Sequence, residues 1–138
     1  MVDAPITVHP IGRVVSPIRD VRGAPRQPDE GAPPAVLDLD DDVLPAIDGL
    51  RVGERVVVLT WLDQARRDVR TTRPRDDPEA PLTGVFATRA PDRPNPIGLH
   101  EVEVTSIDGR RIGVDGLEAI DGTPILDLKP VLGAVDDR

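Results

Sequence analysis

Sixteen prolines and twelve glycines divide this 138-residue chain into short pieces. Proline has no amide proton to give a helix or a sheet ladder, and its ring clashes with the preceding helical turn. Long regular elements are therefore disfavoured, and many short strands joined by loops fit better. The apolar material agrees. Trp61 and Phe86 are the only aromatic residues and there is no Tyr, so the core must rest on Val, Ile and Leu, whose branched side chains suit strands. A chain of this length can bury roughly two-thirds of its unfolded surface in one core, so a single domain over residues 1–138, with no C-terminal domain, is expected.

With no Cys in the chain, disulfides, thiolate metal sites and a Cys nucleophile are excluded. No run approaches the roughly 18 apolar residues of a membrane span. Residues 1–10 lack the basic and apolar regions of a secretory signal. A cytoplasmic protein without membrane contact is expected. The net charge of -8 opposes non-specific affinity for nucleic acid. The charge is unevenly spread: residues 63–93 carry seven Arg against six acids, whereas residues 1–62 and 94–138 are both acidic. Any polyanion would dock on that middle segment.

Ile11 to Val15, Ala35 to Leu39, Arg55 to Leu62, Val85 to Thr88, Ile97 to Ile107, Arg111 to Leu117 and Ile125 to Leu128 read as strands. Arg55 to Leu62 is almost continuously apolar and reads as a central strand buried on both faces. Asp40, Asp41 and Asp42 precede Val43, Leu44, Ile47 and Leu50, which share one helical face; a short helix capped by the acids is expected, stopped by Gly49 and Gly53. Asp108-Gly109 is a hairpin signal and Asp121-Gly122 a further turn. Residues 19–34 and 63–83 read as long loops. The predicted fold is mainly β: a small antiparallel β-barrel of about seven strands with one short helix. No glycine-rich dinucleotide loop follows a strand.

Three segments concentrate chemistry. Gly84 to Leu99 reads GVFATRAPDRPNPIGL, with Arg89 and Arg93 among three prolines and Asn95 held between Pro94 and Pro96. A stiff loop of that kind holds polar side chains at low entropic cost; it is either a binding loop for an anion or planar ligand or a rigid connector with solvated arginines. Leu117 to Lys129 contains Asp121, Asp127 and the only Lys. Asp127 and Lys129 share a strand face, either across a site or as a surface ion pair. Pro25-Arg26-Gln27 is, by itself, a polar loop. His9 and His100 read as ordinary residues, and the acids at 38–42 as a cap and solvated face, because Pro45 and the lack of a closing Glu spoil a calcium loop. No metal site is expected.

In this order, the segments resemble the TsaA-like (TrmO) family: an Ile11-Gly12-Arg13-Val14-Val15-Ser16-Pro17 opening, the Pro25-Arg26-Gln27 loop, the Gly84 to Leu99 motif, and a closing Asp121 to Pro130, DGTPILDLKP. The resemblance spans about residues 8–132. It implies a barrel that binds S-adenosylmethionine, usually as a homodimer, and methylates N6 of the threonylcarbamoyl-adenosine at position 37 of tRNA. A small-molecule acceptor, or a non-catalytic S-adenosylmethionine-binding module, are the competing readings. By motif, Pro25, Arg26, Gln27, Asp63, Gln64, Arg89 and Leu99 look like cofactor contacts, and Leu117, Glu118, Ala119 and Ile120 like the wall beside the adenosine. Arg93, Asn95 and Lys129 are candidates for substrate contacts, and Asp121 for a catalytic proton acceptor. Three positions depart from the family: Asp63 stands where His is common, Ala90 precedes Pro91 in place of Ser, and Arg73-Pro74-Arg75-Asp76 replaces an HPRG-like segment.

Overall fold

Alternation along each strand builds the barrel, every second residue turning inward. The computed structural model describes residues 4–19, 34–74 and 77–133. Its strands are β1 (Gly12–Val15), β2 (Ala35–Leu39), β3 (Arg55–Trp61), β4 (Thr71–Thr72), β5 (Thr83–Gly84), β6 (Ile97–Asp108), β7 (Arg111–Asp115) and β8 (Pro124–Pro130). Six of them close an antiparallel barrel in the order β1-β2-β7-β6-β3-β8. Closure is made by β8 returning to β1, with Gly12 opposite Ile125 and Arg13 opposite Pro124. The other two, β4 and β5, form a separate two-residue ladder. Inside lie Val14, Leu37, Leu39, Val56, Val58, Val102, Val104, Ile112, Val114, Leu117 and Ile125, all almost fully buried.

Three local expectations are revised. β3 alternates between buried and half-buried residues, so it has one core face and not two. A closed barrel has a single interior; the outward residues Leu59 and Trp61 lie opposite Leu99 and Ile97, forming an apolar stripe on the outside. The expected strand at Val85 to Thr88 is a 3-10 turn over Val85–Ala87, closed by the Thr88 amide donating to the Val85 carbonyl at 3.0 Å. Val85 is buried while Phe86 is 84% exposed; the Val85 amide still donates to the Arg70 carbonyl at 3.0 Å, and the ladder between β4 and β5 ends there as the chain turns. The predicted helix is a 3-10 helix over Asp41–Ile47 containing Pro45, and Asp40 makes no side-chain cap bond. Asp38 and Asp41 instead engage Arg110, at 2.5 and 2.9 Å.

The Asp108-Gly109 signal does produce a hairpin: Asp108 pairs with Arg111, and Gly109 takes the positive φ of 59° that the tight turn needs. Strand direction then sorts the connections. The β2–β3 connection and the β6–β7 hairpin lie at one end of the barrel. At the other end, called the mouth below, β1, β3 and β7 finish and β2, β6 and β8 begin. Residues 62–96 and 116–123 therefore join strands at the mouth, as do Arg19 and Pro34, the described ends of the β1–β2 connection.

Candidate functional site

The proline-framed loop entering β6 is cross-braced by arginines. Leu62, leaving β3, donates its amide to the Pro96 carbonyl at 2.8 Å. Arg67 donates from Nε to the Pro94 carbonyl at 2.8 Å and from Nη2 to Asn95 Oδ1 at 2.9 Å. Its guanidinium lies 5.2 Å from the Trp61 ring centroid, within cation–π range. Arg93 donates from Nε to the Ala90 carbonyl at 2.8 Å and from Nη2 to the carbonyls of Val85 and Thr88, at 2.6 and 2.5 Å. The planar fork of Arg suits such multiple bridging. Arg93 is half-buried, whereas Arg89, in the same loop, is exposed. Arg66 pairs with Asp68 at 3.1 Å on the open surface; this hydrogen bond, then the opposite charge, holds the Asp68 carboxyl below its ordinary range.

Within the mouth, the inward positions of two paired strands are polar. Thr60 of β3 and His100 of β6 are buried, with Gly98 between them. Thr60 Oγ1 lies 2.8 Å from His100 Nε2, and His100 Nδ1 lies 2.8 Å from Glu118 Oε1. A carboxylate oxygen accepts from the ring at Nδ1, and Nε2 faces the Thr60 hydroxyl, which can either donate or accept. Gly98 leaves room for this chain: a Cβ there would stand 2.4 Å from Thr60 Oγ1 and 2.7 Å from His100 Nε2. Glu118 Oε2 is buried and has no hydrogen-bond partner among the described residues. Native structures rarely leave such an oxygen orphaned, because desolvation without a replacement bond is costly.

Asp121 closes the site on the β1 side. Its Oδ1 accepts the Ser16 amide at 3.0 Å and its Oδ2 accepts from Arg19 at 3.4 Å. Its own amide donates to the Ile18 carbonyl at 2.7 Å. The carboxylate thus ties the 116–123 segment to the end of β1.

The remaining candidates divide by position. Asp63 and Gln64 are exposed just beyond β3. Leu117 and Ala119 are buried in the core, leaving mainly backbone for a ligand, while Glu118 and Ile120 are half-buried. Leu99 lies on the outer face of β6, 44% exposed, not beside inward-facing His100. Lys129 forms a 2.9 Å pair with Asp127 on the exposed surface and sits opposite Val57, away from the mouth. Pro25, Arg26 and Gln27 lie outside the described residues. Among the described residues, no group of three or more His, Cys, Asp or Glu side chains is arranged to hold a metal. His100 was missed by sequence reasoning, because its partners lie 40 and 18 residues away.

Fold and site together define a small antiparallel β-barrel domain whose buried Thr60–His100–Glu118 row and braced arginine loop lie at the same end. The sequence model of the tRNA-methyltransferase O N-terminal domain matches residues 13–137, and the chain belongs to that family. It is 38% identical over 136 residues to a probable S-adenosyl-L-methionine-binding protein of Methanothermobacter thermautotrophicus, covering 99% of this chain and 97% of that one. It is 40% identical over 133 residues to an S-adenosyl-L-methionine-binding protein of Archaeoglobus fulgidus, covering 94% and 91%. The crystal structure of TrmO from Pseudomonas aeruginosa superposes with a TM-score of 0.76 at 30% identity, over 98% of this chain and 61% of that chain. The chain thus spans about three-fifths of that solved TrmO chain.

Proposed function

We propose that this chain is an S-adenosylmethionine-dependent methyltransferase acting on tRNA, at N6 of the threonylcarbamoyl-adenosine at position 37. The observation that carries the reading is the gathering of the 62–96 and 116–123 segments at one barrel mouth, where Glu118 presents a buried acceptor with no partner among the described residues. An adenosyl group carries hydroxyl and amino donors that fit an orphaned carboxylate oxygen. Family membership and the names of the relatives support the cofactor.

The residues present fit that cofactor in a divided way. Glu118 receives a donor of the nucleoside, and the backbone of Leu117, Ala119 and Ile120 walls it. Exposed Arg89, together with Arg26, answers the carboxylate of the methionine moiety, for which a guanidinium fork is suited. Asp63 and Gln64 stand at the rim. When bound, the cofactor supplies an electrophilic methyl carbon; the chain's contribution is alignment of donor and acceptor. Arg93 and Asn95 shape the substrate side by keeping the loop rigid, and the Arg-rich 63–93 segment meets the phosphate backbone. Lys129, paired with Asp127 at the far end of β8, stands apart from this group. The apolar outer stripe of Leu59, Trp61, Ile97 and Leu99 supports a homodimer; no helix among the described residues is long and apolar enough to cross a membrane.

One observation favours a second reading. The net charge of -8 suits a small-molecule acceptor better than a polyanion. Incubating the protein with methyl-labelled S-adenosylmethionine and either modified tRNA or a metabolite extract separates the two. Mass gain on tRNA nucleosides is expected. Gain only among small molecules supports the second reading, and binding without product supports a non-catalytic module.

A further inference from the structure

We propose that His100 is a positioning residue for the cofactor nucleoside: braced by Thr60, it locks Glu118 so that the buried Oε2 is held as a fixed acceptor, reached by one hydroxyl or amino donor of the adenosyl group when the cofactor binds. The inference rests on the S-adenosylmethionine reading and goes beyond it by assigning the acceptor atom and the residues that aim it.

The geometry carries the argument. Thr60, His100 and Glu118 come from β3, β6 and the 116–123 segment, and two 2.8 Å contacts join them in a row. The His100 and Glu118 side chains are only 6% and 14% exposed, so water does not supply the missing partner freely. A buried Glu has two oxygens to satisfy. His100 occupies one, which fixes the carboxyl plane and leaves the other, Oε2, unpartnered among the described residues. An acceptor frozen before the ligand arrives loses little side-chain entropy on binding. Gly98 makes the arrangement possible, since any Cβ there would strike both Thr60 Oγ1 and His100 Nε2. The neighbouring acids of β6, Glu101 and Glu103, are exposed and are not part of this row.

The test is calorimetric and needs no turnover. S-adenosylhomocysteine and its 2′-deoxy, 3′-deoxy and 6-desamino analogues are titrated into the full chain and into three variants. His100→Leu removes the donor to Glu118. His100→Asn keeps an amide donor near the Nδ1 position. Glu118→Gln, oriented by the His100 N–H, replaces the acceptor Oε2 by an amide donor. With S-adenosylhomocysteine, His100→Leu and Glu118→Gln are each expected to weaken binding about tenfold or more, and His100→Asn to stay within about threefold of the parent. With the one analogue that lacks the donor meeting Oε2, the effects of His100→Leu and Glu118→Gln disappear, and which analogue does this identifies the donor. A structural role alone does not produce that coupling between residue and ligand group. Equal weakening across all four ligands, or unchanged binding in Glu118→Gln, overturns the inference while leaving the cofactor reading standing. Failure of the unmodified chain to bind S-adenosylhomocysteine defeats the cofactor reading itself and this inference with it.

Discussion

Arg93 spends Nε and one terminal nitrogen on three carbonyl oxygens of its own loop, and that use determines what its replacement does. Lys offers a single ammonium and cannot bridge all three from one plane. Arg93→Lys is expected to cost about 1–3 kcal/mol in urea unfolding and to raise amide exchange selectively over residues 84–96. Unchanged exchange there would show that the prolines alone hold the loop. Asp121 is argued the same way. Both its oxygens are engaged, with Ser16 and Arg19, so the geometry favours an anchor over a proton acceptor. Asp121→Asn keeps one carbonyl oxygen for the Ser16 amide and is expected to change kcat less than about tenfold. A fall of about a hundredfold or more would restore Asp121 as the general base. At this scale the sequence revealed which residues were chemically unusual but not their partners. Arg67 and Asn95 are separated by 28 positions, and His100 and Thr60 by 40; no local pattern contains such pairings.

Strands were legible where apolar residues alternate or turn glycines stand between them. β1, β2, β6 and β7 follow from that period, and the Gly109 turn from its dipeptide. Val85 to Thr88 failed because four residues carry no period that distinguishes a strand from a turn. β3 was overestimated, because a continuous apolar run reads alike whether its second face meets a core or an outer stripe. Glycines inside strands record close approaches that composition cannot show. A Cβ on Gly12 would lie 2.3 Å from the Asp38 backbone carbonyl oxygen of β2, whereas one on Gly113 would meet the Ser106 side-chain oxygen at 2.2 Å. A hydroxyl can rotate away and a strand carbonyl cannot. Gly12→Ala is therefore expected to destabilise the barrel by about 3 kcal/mol or more, and Gly113→Ala by about 1 kcal/mol, in paired denaturant titrations. Equal costs would mean that the β1–β2 pairing slides to accommodate the methyl group.

Over the whole molecule, charge and topology pull in different directions, and the balance fixes what tRNA binding should look like. A net charge of -8 repels a polyanion at long range, yet the only segment with an excess of Arg, residues 63–93, is part of the connection at the mouth. Affinity for tRNA should then come from a few local phosphate contacts and depend steeply on salt. Not every arginine there is available. Arg67 braces Pro94 and Asn95, so reversing it would disturb the loop and confuse the readout. Arg66 and Arg70 are exposed, and among the described residues the Arg66 guanidinium is held by an exposed pair with Asp68, which is worth little in water and is screened by salt. The double variant Arg66→Glu, Arg70→Glu is expected to weaken tRNA binding at 0.1 M salt by about tenfold or more. The slope of log K against log salt should fall by about 0.7–0.9 for each phosphate that is no longer neutralised. Binding of S-adenosylhomocysteine should be unaffected, because neither residue is assigned to the cofactor. An unchanged slope with unchanged tRNA affinity would move the acceptor away from this face and favour a small molecule bound within the mouth.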